Sequence, residues 1–147
     1  MSVVQKIRFA LRQTTRVRHT VSTKLALYSY DLEKVLVVQY PHAFGLPGGH
    51  LETRELPEDC IRRELMEELG LQLKEVQPAS FFLRSDSHGS VILGYTAVAQ
   101  KNVRLNEPNP VKEKGVWVTK TELSELDISP AYQKFALTHW PTKKAVQ

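Results

Sequence analysis

The sequence predicts an α/β (α+β) sandwich with a mixed β-sheet packed between helices. Three observations point there. Several short runs have the β-branched and aromatic composition of strands. Two stretches with helical signals, residues 57–69 and the segment after Ser129, are interleaved with them. The length of 147 residues, 41% of them hydrophobic and 24% charged, suits one globular, soluble domain with a proper core and is too short for two. That domain is expected to span residues 1–147, with a basic segment at 1–22 whose role composition leaves open.

At the start, Val4, Ile7 and Leu11 fall at helical spacing with Lys6, Arg8 and Arg12 between them. The plain expectation is a leading helix or strand packed on the domain. An Arg-rich, acid-free segment is also the composition of an organellar targeting peptide. A third option is that its arginines meet substrate phosphates, which Arg binds well through paired hydrogen bonds. Residues 25–30 and 35–38 read as the strands of a β-hairpin turned at 31–34. Residues 41–49 form a loop rich in breakers, with Pro41, Gly45, Pro47, Gly48 and Gly49. Such a loop lets the backbone approach a ligand closely.

Residues 57–69 should be a helix. Pro57 suits the first turn, where a missing N–H costs nothing. Glu58 and Asp59 complement the positive end of the dipole, and Gly70 supplies a C-terminal stop. Ile61, Leu65 and Leu69 make a core stripe. Cys60, the single cysteine, lies beside that stripe and reads as a small core thiol. It cannot support an intrachain disulfide, which fits a reducing, cytoplasmic setting.

Beyond the helix, residues 80–84 read as a strand, 86–89 as a turn and 91–99 as the antiparallel partner. Residues 103–114, with Pro108 and Pro110, form a loop, and 115–118 a short strand. Thr121 is expected to cap a short turn running through Leu126. Ser129-Pro130 opens a final helix with Tyr132, Phe135 and Ala136 facing inward. The tail at 143–147 is expected to fray. No apolar run approaches the roughly 20 residues of a membrane span.

The charged face of the 57–69 helix is its unusual part. At roughly 100° per residue, Glu68 lies about 40° from Glu64, and Glu67 about 60° to the other side. Like charges at this spacing destabilise a helix. A hard multivalent cation that prefers oxygen ligands would remove the repulsion. The alternative is a solvated acidic face, which is what most charge runs are.

The wider spacing resembles the Nudix hydrolase signature, G-x5-E-x7-R-E-U-x-E-E-x-G-U, where U is a bulky aliphatic residue. Gly49 is followed by Glu55, then Arg63-Glu64-Leu65, Glu67-Glu68 and Gly70-Leu71, so every fixed position matches across residues 49–71. The resemblance implies the Nudix fold, a mixed sheet between helices. It also implies hydrolysis of the pyrophosphate linkage of a nucleoside diphosphate joined to a further group, such as a nucleoside triphosphate, with Mg²⁺ or Mn²⁺ as cofactor. By the family pattern, Glu67 and Glu68 would be metal ligands. Glu64 would be a ligand or the base that activates water, and Arg63 the partner that orients it. Gly48 or Gly49 would offer a backbone carbonyl. Glu55 would steady loop and helix, with Arg63 as a candidate partner, and Glu52 matches a common acid of the loop. A further carboxylate is often used downstream, with Glu113 the first choice and Glu107 the second. Arg54 departs from the pattern, since many relatives carry glycine there.

The base-recognition site is less specified. Phe81, Phe82, Tyr40, Phe44 and Trp117 are candidates for stacking, although aromatics in strands are more often core. His50 is expected to be exposed, and His88 is assigned no role. The net charge of +4 is uneven: six of the 20 basic residues and none of the 16 acids lie in residues 1–30. The remainder is slightly acidic, which weakens an inference of nucleic-acid binding. The expected partner is therefore a small nucleotide, with no membrane and with monomer or homodimer equally open. Two other functions compete: a silent Nudix domain that senses a nucleotide, and an RNA 5′-pyrophosphohydrolase gripping its substrate through the basic segment.

Overall fold

The computed structural model describes residues 2–14, 19–84, 89–105 and 113–144, the side chains of 9–14 excepted. Its elements are α1 (Val3–Thr14), β1 (Val21–Tyr28), β2 (Lys34–Gln39), β3 (Phe44–Gly45), α2 (Pro57–Leu69), β4 (Gln77–Arg84), β5 (Ser90–Val98), β6 (Lys114–Thr119), α3 (Lys120–Glu125) and α4 (Pro130–Thr138). The strands form a mixed six-stranded sheet ordered β3-β2-β1-β5-β4, with β6 on the outer edge of β2.

The centre of the sheet is β1. It runs parallel to β5, from Val21 opposite Val91 to Tyr28 opposite Val98. Parallel strands need cover on both faces, and the run Leu25-Ala26-Leu27-Tyr28 is accordingly fully buried. Alternation divides it between two cores. Leu25 and Leu27, with Leu36 and Val38 of β2, pack under Ile61, Leu65 and Leu69 of α2. Ala26 and Tyr28, with Val35 and Val37, face Tyr132, Phe135 and Ala136 of α4. Each large aliphatic side chain so buried contributes about 1.5–3 kcal/mol. The Tyr28 hydroxyl donates to the carbonyl of Ala136 at 2.8 Å, so this buried polar atom is satisfied.

Helix α2 has the predicted bounds. Gly70 caps it in the left-handed region at φ 64°. Its amide donates to the carbonyl of Met66 at 3.1 Å, the bond of an αL stop, and that of Leu71 to Leu65 at 3.2 Å. Other elements differ from expectation for local reasons. β1 begins at Val21 and ends at Tyr28, because Asp31 accepts from the Ser29 hydroxyl and the Glu33 amide and folds the turn early. β1 and β2 share only the pair Tyr28–Val35 and then part, so the hairpin is short. The glycine-rich loop contains a two-residue strand, β3, and β4 begins at Gln77, with a register shift between Pro78 and Ser80 at the sheet edge. The cap of α3 is Thr119 and not Thr121. Thr119 and Glu122 form a reciprocal capping box, in which an acid three residues on answers the hydroxyl.

The basic segment does form a helix, α1, but Val3, Val4 and Ile7 remain exposed, so these side chains are not packed on the domain. Arg16, Arg18, Asp86, Ser87, His88, Glu107, Pro108, Pro110, residues 145–147 and the side chains of Leu11 and Arg12 lie outside the described residues. Among the described residues no helix is long and apolar enough to cross a membrane.

The left-handed cap yields a test of the helix stop. Gly70→Ala should lower unfolding stability by about 1 kcal/mol, and Gly70→Asn by less, because Asn tolerates this region. Urea titration with far-UV circular dichroism would measure both, and equal stability of all three proteins would show that the cap is not strained.

Candidate active site

Where β1 and β2 part, the chain from Pro47 to Leu51 fills the gap. The Leu25 amide donates to the Pro47 carbonyl at 2.9 Å, the Thr23 amide to Gly49 at 2.9 Å, and the Leu51 amide to Val21 at 3.1 Å. The loop is thus laid antiparallel along β1. Gly48 has φ 129°, and a Cβ there would stand 2.2 Å from the Thr23 carbonyl oxygen. A Cβ on Gly49 would stand 2.3 Å from Oε1 of Glu64. Backbone leaves no room for a side chain at Gly48, and one at Gly49 would push the Glu64 carboxylate off the loop it now touches.

Arg63 organises those carboxylates. Its guanidinium donates to both oxygens of Glu55, Nε to Oε1 at 2.7 Å and Nη2 to Oε2 at 3.0 Å. Nη1 donates to Glu64 Oε1 at 2.9 Å and to Glu67 Oε2 at 3.3 Å, while Nη2 also reaches the His50 carbonyl at 3.1 Å. Glu52 lies at 3.8 Å from Nε. One planar cation therefore ties three acids and the loop together, a geometry that Lys could not supply. The Arg63 guanidinium holds Glu55 down to a pKa of about 2. Glu55 in turn accepts from the Glu52 amide at 2.9 Å. Arg54, between them, adopts φ 64°, the region glycine enters without cost, so the turn keeps a glycine-like shape at the expense of some backbone strain.

Glu68 takes a different set of partners. It accepts from the Tyr40 hydroxyl at 3.0 Å and from the Gly48 amide at 3.4 Å. Burial pushes its pKa up to about 7, against the pull of the Lys24 ammonium and of these two hydrogen bonds. Burial, then the negative charge of Glu68, raises the Tyr40 phenol above its ordinary range. The charge of Glu113 adds to this rise in the Tyr40 phenol, and no hydrogen bond or ion pair among the described residues ties Glu113 to the site. Lys24 reaches in from β1. Its Nζ donates to the Leu46 carbonyl at 3.1 Å and to the Gly48 carbonyl at 3.0 Å. Burial lowers its pKa, partly offset by Glu68 and Glu64.

A cleft of about 410 Å³ opens beside this group, lined among others by Lys24, Tyr40, Phe44, Arg84, Asp127 and Tyr132. Arg84 lies 5.3 Å and Lys24 5.5 Å from the centroid of the Tyr132 ring, and Arg84 also donates to the Tyr132 hydroxyl at 3.3 Å.

The model of the NUDIX domain matches residues 19–138, most of the chain. The chain belongs to the Nudix family. A curated relative, "Putative hydrolase 111R" of Invertebrate iridescent virus 3, is 29% identical over 105 residues, which are 70% of this chain and 61% of that protein. The match thus spans less than two thirds of the curated relative's length. Among solved structures, the NUDIX domain of Shewanella oneidensis NrtR, complexed with ADP ribose, is similar at a TM-score of 0.72 and 16% identity, with all of each chain covered. The E. coli dihydroneopterin triphosphate pyrophosphohydrolase is similar at a TM-score of 0.68 and 14% identity, covering 83% of this chain and 97% of that one. At such identities the likeness is one of fold.

Helix α2 sets Glu64 against Gly49 and Glu68 on the Gly48 amide, with Glu67 held by Arg63. These are hard oxygen donors of the kind Mg²⁺ and Mn²⁺ prefer, so the donor set fits a divalent ion. Among the described residues no three such groups already converge on one point. Glu67 is held toward Arg63 but is 59% exposed, so its side chain has room to swing inward. The Gly49 carbonyl is committed to Thr23, and that of Gly48 to Lys24.

Of the stacking candidates, Tyr40 and Phe44 line the cleft. Phe82 and Trp117 pack against the two cores, and Phe81 is exposed away from the cleft. His50 is exposed, with its ring bonded to the Ser22 hydroxyl at 2.7 Å. Cys60 is buried, bonded to Thr23, Gly49 and His50, and its thiol pKa is raised by burial, so it fastens the loop and is no nucleophile. Sequence reasoning missed Lys24, Arg84, Asp127 and Tyr132 as cleft residues. Only Lys24 carried a signal, as the one charged side chain in β1.

The Glu55–Arg63 pair makes stability depend on pH with a defined sign. A carboxyl held below its ordinary value of 4.5 stabilises the fold above that pH, and the effect fades as pH falls toward about 2. Glu55→Gln should therefore lower the melting temperature at neutral pH, and the gap to wild type should close across that acid range. Melting curves over a pH series would check it. A gap independent of pH would remove the ion pair as its cause.

Proposed function

We propose that this Nudix domain hydrolyses the pyrophosphate linkage of a nucleoside diphosphate bonded to a further group, with Mg²⁺ or Mn²⁺ as cofactor. The observation that carries this reading is the pair Glu64 and Glu68 set on the Gly49 and Gly48 backbone, with Arg63 holding Glu64 and Glu67, beside a cleft that shares Lys24 and Tyr40 with this group. A diphosphate presents several negative oxygens to an attacking water. Bound divalent ions would neutralise these oxygens and lower the pKa of the water.

The chain's own residues do the rest. Glu64 is the ligand or base: Arg63 fixes its Oε1, which aims the carboxylate at the mouth of the loop. Glu67 and Glu68 would complete the ion's oxygen set, and Glu113 is the candidate further acid. Tyr40 and Phe44 offer faces for a base or other planar group, and Lys24 and Arg84 make the cleft receptive to phosphate. Nucleoside triphosphates are the first substrates to try. The solved Nudix domain with ADP ribose motivates adding a nucleoside diphosphate sugar to the panel. A silent nucleotide sensor is disfavoured, because a pure binder has no need of so costly a cluster of acids.

The test is a panel of nucleotide derivatives with product analysis, run with and without Mg²⁺. Glu64→Gln should reduce kcat by several orders of magnitude with an unchanged circular dichroism spectrum. Glu67→Gln and Glu68→Gln should raise the Mg²⁺ concentration needed for half-maximal rate. Full activity of Glu64→Gln, or hydrolysis indifferent to chelator, would refute the mechanism.

A further inference from the structure

Lys24 sits where the chemistry of the site calls for a metal. It is the only charged side chain of β1, and it shares a sheet face with Ala26 and Tyr28, on the α4 side. Its ammonium nevertheless reaches the carbonyls of Leu46 at 3.1 Å and Gly48 at 3.0 Å. The charges of Glu68 and Glu64, which belong to α2, also favour this ammonium. Gly48 therefore has Glu68 at its amide and Lys24 at its carbonyl. Two backbone carbonyls with two carboxylates nearby form an all-oxygen environment of the kind that attracts a divalent cation.

We propose that Lys24 is a resident cation of this site, a positioning residue that takes the place of one divalent ion. The proposal rests on the metal-dependent reading above and goes beyond it. The ammonium holds the Gly48 carbonyl, so that carbonyl is not a metal ligand in this chain. The divalent ion is then bound by side-chain oxygens alone, at the outer rim formed by Glu64, Glu67 and Glu68. A second ion on the Gly48 carbonyl would be separated from the ammonium by a single oxygen, and like charges at that distance repel strongly. A tethered cation also cannot be removed by chelation. The glycine loop should therefore keep its shape without metal, because its two carbonyls are already engaged.

Three variants separate charge from hydrogen bonding. Lys24→Arg keeps the charge, Lys24→Gln keeps a donor without charge, and Lys24→Met keeps neither. The measurements are Mn²⁺ stoichiometry on substrate-free protein, by calorimetry and electron paramagnetic resonance, and melting temperature in chelator and in Mn²⁺. Wild type and Lys24→Arg should take up roughly one Mn²⁺ per chain, and Lys24→Gln roughly two. In chelator the two neutral variants should melt lower than wild type, and Mn²⁺ should raise their melting temperatures more than it raises the wild type's. Equal stoichiometry and equal Mn²⁺-induced shifts in wild type and Lys24→Gln, with hydrolysis still metal-dependent, would overturn the proposal and leave the functional reading standing. Should the neutral variants fail to fold, uptake of two Mn²⁺ by wild type alone would overturn it equally. No Mn²⁺ uptake by any form would sink the functional reading and the proposal together.

Discussion

The site depends on one constraint: a stretch of backbone must lie in the narrow gap between a central strand and a helix. β1 pairs with β5 along its whole length but with β2 only at Tyr28, so its other edge is left open over the residues before Tyr28. Pro47, Gly49 and Leu51 take up that edge with three backbone hydrogen bonds, and buried amides demand such partners. At 2.2 Å from the Thr23 carbonyl, no methyl group fits at Gly48, so that glycine is required by sterics alone. At Gly49 a methyl group would stand 2.3 Å from Glu64 Oε1 and would displace that carboxylate from the loop. With both glycines in place, α2 can lie close enough for its acids to touch the loop.

That closeness creates an electrostatic debt, which the fold settles with two cations of different kinds. Arg63 lies on the helix itself and spreads its donors over Glu55, Glu64, Glu67 and the His50 carbonyl. Lys24 comes through the sheet and serves the glycine loop and the field of Glu68. The division is sensible, because a guanidinium matches several carboxylates in a plane and an ammonium matches converging carbonyls. Glu68 remains the least satisfied member. Burial outweighs its partners and leaves its pKa near 7, which marks it as the acid with most to gain from a further positive charge.

Much of this was legible in the sequence, and the illegible parts share a cause. The bounds of α2, its core stripe and its acidic sector follow from local signals, namely a proline, a glycine and residues at helical spacing. The two-faced core follows from alternation in β1 and β2. The parallel pairing of β1 with β5 was invisible, since partner choice depends on residues some 70 positions apart in the register from Val21 to Val91. The cap of α3 was placed two residues late because two threonines compete, and the decisive acid, Glu122, answers Thr119. The cleft was missed because Lys24, Arg84, Asp127 and Tyr132 come from four separate segments and share no spacing.

The placement of charge around the β1–β2 gap is consistent with the polyanionic substrate proposed above. On the α2 side stand Glu64, Glu67 and Glu68; on the α4 side the cleft carries Lys24 and Arg84 against the Tyr132 ring. An anionic chain laid in the cleft would meet cations first and carboxylates only at the Gly48–Gly49 loop. Only there would it need a mobile cation between like charges. On the proposed reading, the cations of the wall and the acids of the helix would be parts of one arrangement, the first binding phosphate and the second leaving it short of positive charge where the bond would break. Were the acids spread along the whole cleft, substrate would be repelled everywhere. Confined to about one turn of α2, with Arg63 holding Glu64 and Glu67 and Tyr40 holding Glu68, they would oppose it over one short stretch, where the proposed reaction needs them.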